Sequence, residues 1–196
     1  MKWGIDLSEH NDFMAWGKMK KAGLSFAIIR LGWGKGHLDR RFYDHVNSAL
    51  AEGIQVGIYY YSYALSIEEA AEEARFAASL LSDCGLTGEK LSMGCWLDME
   101  DADGYKERHG LVSGKDITAI TCSFLQTMKE DDYPSGLYGN LDWLTHKINI
   151  SRLPEGTPLW CAQWDNQCSL PGAAIWQFTD SLSLEGVKVD GDIAWI

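Results

Sequence analysis

The chain has 196 residues, with 28 acidic side chains against 17 basic ones and a formal net charge of −11. A surplus of that sign excludes nucleic acid and an anionic membrane surface as main partners, since both are drawn by basic patches. The length and a 46% hydrophobic content suit a single domain over residues 1–196, expected as a monomer.

The opening Lys2–Asp6 reads as a strand, so no signal peptide is expected, and no apolar run approaches the ~20 residues of a membrane helix. Five scattered cysteines without metal spacing (Cys84, Cys95, Cys122, Cys161, Cys168) suit reduced thiols of a cytosol, with a Cys161–Cys168 bridge left open. The five histidines form no i, i+4 pair, so no metal and no cofactor are expected.

After the first strand, Asn11 or Asp12 offers a cap for a helix carrying Phe13, Trp16, Met19 and Ala22 at helical spacing and ending at Gly23. A strand over Ser25–Leu31 leads to a glycine-rich turn, Gly32–Gly36, that lacks the Lys-Ser/Thr of a nucleotide loop. A helix from about 39 to 52 and a strand over Ile54–Tyr63 follow. Ser66 and Glu69 then form a capping box at the head of an alanine-rich helix reaching about Ser82.

The next strand, Leu91–Leu97, drives Asp98 and Glu100 out of its end. Residues i and i+2 of a strand share a face, about 6–7 Å apart along the backbone, so the two carboxyls project side by side. Such a pair suits work on a glycosidic bond, because like charges push their pKa values apart and let one group donate a proton while the other stays ionised.

A helix over about 113–129 and short strands at Gly136–Asn140, Leu159–Trp164 and Ala174–Phe178 complete the pattern, and Val189–Ile193 reads as a surface turn. Alternating strands and helices followed by strands with little helix between them predict an α/β fold. Its form is an irregular TIM-like β/α barrel whose helices go missing toward the C-terminus.

In such barrels the active site gathers at the C-terminal strand ends. Those ends carry Asp6, Arg30, the Tyr59–Tyr63 cluster, Asp98 with Glu100, Tyr138, Gln163 with Trp164, and Gln177. Tyr59 reads as core, and Tyr61 and Tyr63 as candidates for the cleft. His10 reads as a hydrogen-bonded rim residue.

The ordered segments Gly4–His10, Phe26–Arg30, the Asp39/Phe42/Ala49 spacing, Val56–Ala64, Leu97–Asp101, Trp160–Trp164 and Trp176–Phe178 resemble those of the glycoside hydrolase family 25 lysozymes, the Chalaropsis-type muramidases of autolysins and phage endolysins. The resemblance implies cleavage of the β-1,4 bond between N-acetylmuramic acid and N-acetylglucosamine in bacterial peptidoglycan, with net retention. It also implies Glu100 as general acid/base and Asp98 as its partner, either as nucleophile or by orienting the substrate acetamide. Asp6 matches the family's first-strand carboxylate and Asp190 its last, with Asp192 in reserve because Val189-Asp190-Gly191-Asp192 stands where the family commonly has V-D-L-N. Arg30, Tyr61, Tyr63, Tyr138, Gln163, Trp164 and Gln177 are the expected substrate contacts.

Two other readings compete: a glycan-binding module without catalysis, and a chitinase-like glycosidase that also uses a strand-end D-x-E. Peptidoglycan lies outside the cytosol, so action on the wall is expected after release from the cell that makes the protein.

Overall fold

The computed structural model describes residues 1–11, 13–111 and 113–196. Eight strands close into a barrel in the order β1 (Lys2–Leu7), β2 (Phe26–Trp33), β4 (Gln55–Tyr61), β5 (Cys95–Asp98), β6 (Ser135–Asn140), β7 (Leu159–Ala162), β8 (Ile175–Leu184) and β9 (Val187–Ala194). A two-residue strand, β3 (His37–Leu38), hangs on the end of β2.

Neighbours from β1 to β8 run parallel, whereas β9 runs antiparallel to both β8 and β1. The closure is therefore not that of a regular TIM barrel, whose eight strands all point the same way. Helices α1 (Trp16–Lys21), α2 (Phe42–Ala51), α3 (Ile67–Asp83), α4 (Tyr105–Arg108) and α5 (Gly114–Glu130) precede β6. Beyond β6, only a π turn over Trp143–Lys147 and a 3-10 turn over Ile150–Arg152 interrupt the strands among the described residues.

Alternation along the strands divides the core in two. Ala27, Ile29, Val56, Ile58 and Leu97 face outward into the apolar layer shared with the helices, while Phe26, Ile28, Trp96, Trp160 and Ile175 fill the barrel. Strands buried on both faces in this way read as continuous apolar runs, and that is how they stand out in the sequence. Two glycines make room for the large rings inside: a side chain on Gly4 would meet the Phe26 ring at 2.5 Å, and one on Gly136 would strike the Trp96 ring.

Ser66 caps α3 as the sequence predicts, its Oγ accepting from Glu69 N–H at 3.2 Å, while Glu69 Oε2 accepts from Leu65 N–H at 2.8 Å. Burial of Ala70, Ala74, Ala77 and Leu81 then seats α3 on the barrel and against α5.

Several expected elements differ. The first helix starts at Trp16, and Phe13 is exposed, so its place in the apolar spacing is coincidental; the proposed cap at Asp12 lies outside the described residues. Leu91–Gly94 is a turn that feeds a four-residue β5. The glycine-rich stretch is the tip of the β2–β3 hairpin, with Gly34 and Gly36 in the positive-φ region. Val189–Ile193 is part of the barrel wall and no surface turn, since Gly191 supplies the side-chain-free position that the Phe178 ring requires.

All five cysteines are free, with Cys161 and Cys168 in thiol contact and unbridged. Among the described residues no helix is long and apolar enough to cross a membrane.

Candidate active site

The C-terminal ends of the parallel strands converge on a cluster of carboxyls. Asp6 comes from β1, Asp98 from the last position of β5, and Glu100 from two residues beyond it. Because β9 runs the other way, Asp190 and Asp192 enter the cluster from the middle of that strand, with Asp190 paired to Asp6 and Asp192 to Gly4. Trp160 floors the cluster, its ring 4.5 Å from that of Tyr138 and 5.8 Å from that of Trp96.

Gln177 organises the β8 side. Its Oε1 accepts from Tyr138 Oη and from Trp164 Nε1, each at 3.1 Å, and its Nε2 donates to Asp6 Oδ2 at 2.8 Å and to Asp190 Oδ2 at 3.4 Å. The Trp164 indole can only donate, so the amide oxygen must face it, and that fixes the orientation of this buried side chain.

Asp192 is wholly buried. Trp160 Nε1 donates to its Oδ1 at 2.8 Å, but its Oδ2 faces no N–H or O–H donor among the described residues. The group it does meet is the carboxyl of Asp6. Two carboxylates in contact away from water are stable only when they share a proton. Burial pushes Asp192 well above the carboxylate range, with the Asp6 charge adding to the shift. Burial and Asp190 raise Asp6 to about 8, against the opposing hydrogen bonds from Gln177 and Asp192.

Asp98 is also buried, and its Oδ1 has no hydrogen-bond partner among the described residues. Burial, then the charges of Glu100 and Asp6, raise its pKa far above normal. Glu100, more open to solvent, is raised chiefly by burial, with Asp101 and Asp190 contributing and Lys106 opposing. Asp190 is raised to about 6 by burial and by Asp180. Burial and mutual repulsion therefore both favour a proton on the Asp98–Glu100 pair, the direction a general acid requires.

Around this centre the expected contacts divide. Tyr61 and Tyr63 lie side by side with ring centroids 5.1 Å apart, and Tyr63 Oη donates to Asp103 at 2.9 Å. Trp164 is largely exposed, with its indole N–H turned to Gln177. Arg30 is held at the rim by Asp39 at 2.8 Å and Glu9 at 3.5 Å, with its guanidinium 4.6 Å over the Trp33 ring. Gln163 turns away from the carboxyls, and both ends of its amide engage Ser169. Tyr59, expected as core, is half-buried and edges Trp160 at 6.3 Å. His10 is exposed, and its backbone N–H reaches Ser8 Oγ at 3.4 Å.

Sequence reasoning missed Lys106, which is buried beside Glu100, because a lysine in a polar loop reads as solvated. A cavity of about 1010 Å³ between α5 and the 143–152 turn contains none of the clustered carboxyls, so charge and not volume marks the site. Among the described residues no group of three or more His, Cys, Asp or Glu side chains is arranged to hold a metal ion.

Carboxyls gathered at the mouth of a closed barrel, flanked by aromatic rings, define a barrel of the carbohydrate-hydrolase type. Residues 5–187 match the model of the Glycosyl hydrolases family 25, and the chain belongs to that family. Lysozyme M1 of Streptomyces globisporus is 24% identical over 195 residues, which cover 96% of this chain and 65% of that protein. The chain thus spans just under two thirds of this curated relative. The autolysin LytC of Streptococcus pneumoniae, solved with a synthetic peptidoglycan ligand, superimposes with a TM-score of 0.84 at 23% identity, covering 97% of this chain and 46% of that one. The lysozyme of Streptomyces coelicolor gives 0.78 at 22% identity, covering 100% and 92%.

Proposed function

We propose that the chain is a peptidoglycan hydrolase, an N-acetylmuramidase that cleaves the β-1,4 bond between N-acetylmuramic acid and N-acetylglucosamine. The observation that carries this reading is the buried Asp98–Glu100 pair at the strand ends of a family 25 barrel. Family membership and the names of the relatives support the substrate class.

Glu100, the more accessible of the two, donates its proton to the leaving glycosidic oxygen and later takes one from water. Asp98, deeper and with an unpartnered oxygen, faces the developing positive charge, as nucleophile or by orienting the acetamido group of the sugar. Either route gives net retention, and proton NMR of fresh product showing the inverted anomer would contradict it. Asp6 and Asp190, tied through Gln177, hold the far wall of the cleft. Tyr61, Tyr63 and Trp164 offer ring faces for sugar stacking at the mouth. The enzyme would act on the bacterial wall after release from the cytosol, a reading its free thiols support.

The test is digestion of purified peptidoglycan by wild type, Glu100→Gln and Asp98→Asn, with borohydride reduction and mass spectrometry of the products. Reduced muramic acid ends are expected from wild type, with rates at least about 100-fold lower for either variant. Reduced glucosamine ends would make it a glucosaminidase, and no cleavage by wild type would make it a glycan-binding module.

A further inference from the structure

Lys106 sits on a four-residue helix in an otherwise polar loop, yet only 1% of its surface is exposed. Its ammonium donates to the carbonyl of Ser62 at 2.5 Å and to that of Glu100 at 2.7 Å, and lies 5.5 Å and 5.8 Å from the ring centroids of Tyr61 and Tyr63. The backbone is built to hold it there: Asp101 accepts from the N–H groups of Lys106 at 2.7 Å and Glu107 at 2.9 Å. An apolar residue could fill the same volume without desolvating a charge, so packing alone does not account for a lysine.

We infer that Lys106 is a positioning residue for the reacting pair, tying the backbone of Glu100 to the end of β4 and keeping a positive charge beneath the two carboxyls.

The inference rests on the assignment of Asp98 and Glu100 as the reacting groups. It explains how two buried carboxyls are kept from both holding protons permanently. Glu100 lies beyond the last hydrogen-bonded residue of β5, so strand pairing does not fix it; the bond from Lys106 to its carbonyl does. Ser62, the other anchor, lies between Tyr61 and Tyr63, so one ammonium joins the carboxyl side of the cleft to its aromatic side.

The groups facing the ammonium are Asp98 and Glu100 from β5 and the residues after it, Asp101 from its own loop, Glu73 from α3, and the two tyrosines. Burial lowers the lysine, and those four carboxylates oppose the fall and help to keep it charged. Lys106 in turn pulls both Asp98 and Glu100 down, against burial and against Asp6 on the first and Asp101 and Asp190 on the second.

The experiment is kcat/KM against pH on soluble peptidoglycan fragments for wild type, Lys106→Met and Lys106→Gln, with thermal melting to confirm folding. Loss of the charge moves both limbs of the profile up by about 1 pH unit and lowers the rate at the wild-type optimum about tenfold. A uniform fall with unmoved limbs, or no change, overturns the inference. Failure of both variants to fold also overturns it, by making Lys106 a residue of the fold. Glu100→Gln assayed in parallel separates the two claims. If that variant is inactive while the limbs stay put, the role of Lys106 alone fails; if it is fully active, the acid/base assignment fails.

Discussion

At the scale of single residues, the arrangement with the clearest cost is the Asp6–Asp192 contact. Both carboxyls are raised, Asp6 to about 8, chiefly by burial. A carboxyl protonated in the folded state and ionised in the unfolded chain stabilises the fold fully below its unfolded pKa, and that stability is lost as pH rises toward the folded value. Each proton so held tilts stability by about −1.4 kcal/mol per pH unit between ~4 and the folded pKa. Melting temperature is therefore expected to fall from pH 5 to pH 8. Asp192→Asn keeps the shape and supplies an amide donor toward Asp6, so its melting curve should fall less steeply, with the gain over wild type larger at pH 8 than at pH 5. Equal pH dependence in the two proteins would mean that the pair shares no proton.

At the scale of elements, the barrel interior depends on where rings and glycines meet. A methyl on Gly136 would run into the Trp96 ring and come within 2.9 Å of Pro158. Gly136→Ala should thus lower stability by about 1–3 kcal/mol, read from the midpoint of urea unfolding. The chain announces most of these elements. Apolar runs mark the parallel strands, the Ser66/Glu69 box marks α3, and Asp98, Glu100 and Asp6 stand out as acids ending apolar stretches. The last strand was hidden because Asp190-Gly191-Asp192 has turn composition. Only the fold reveals that Gly191 yields to Phe178 and that both acids face inward. Gln163 fails for the converse reason: strand-end placement is visible in sequence, whereas the Ser169 loop that captures its amide is not.

At the scale of the whole molecule, the proposed function requires a chain of net charge −11 to approach a wall that is itself anionic. Moderate salt screens that repulsion, since the Debye length shortens to about 10 Å at 0.1 M, so wall lysis is expected to rise from low to moderate ionic strength before falling. A steady fall from the lowest salt upward would show that attraction governs the encounter, with Lys115, Lys147 and Arg152 around the outer cavity the cations to test. The inverted β9 carries a further consequence. Asp6 and Asp190 are partners across neighbouring strands, yet they stand 184 positions apart in the chain. During synthesis the cleft is therefore half a cleft until β9 has been made, and β1 and β8 wait with open edges for the strand that joins them. A chain cut short before Val187 lacks that strand altogether, and what it leaves is a sticky fragment in place of a slightly weaker barrel.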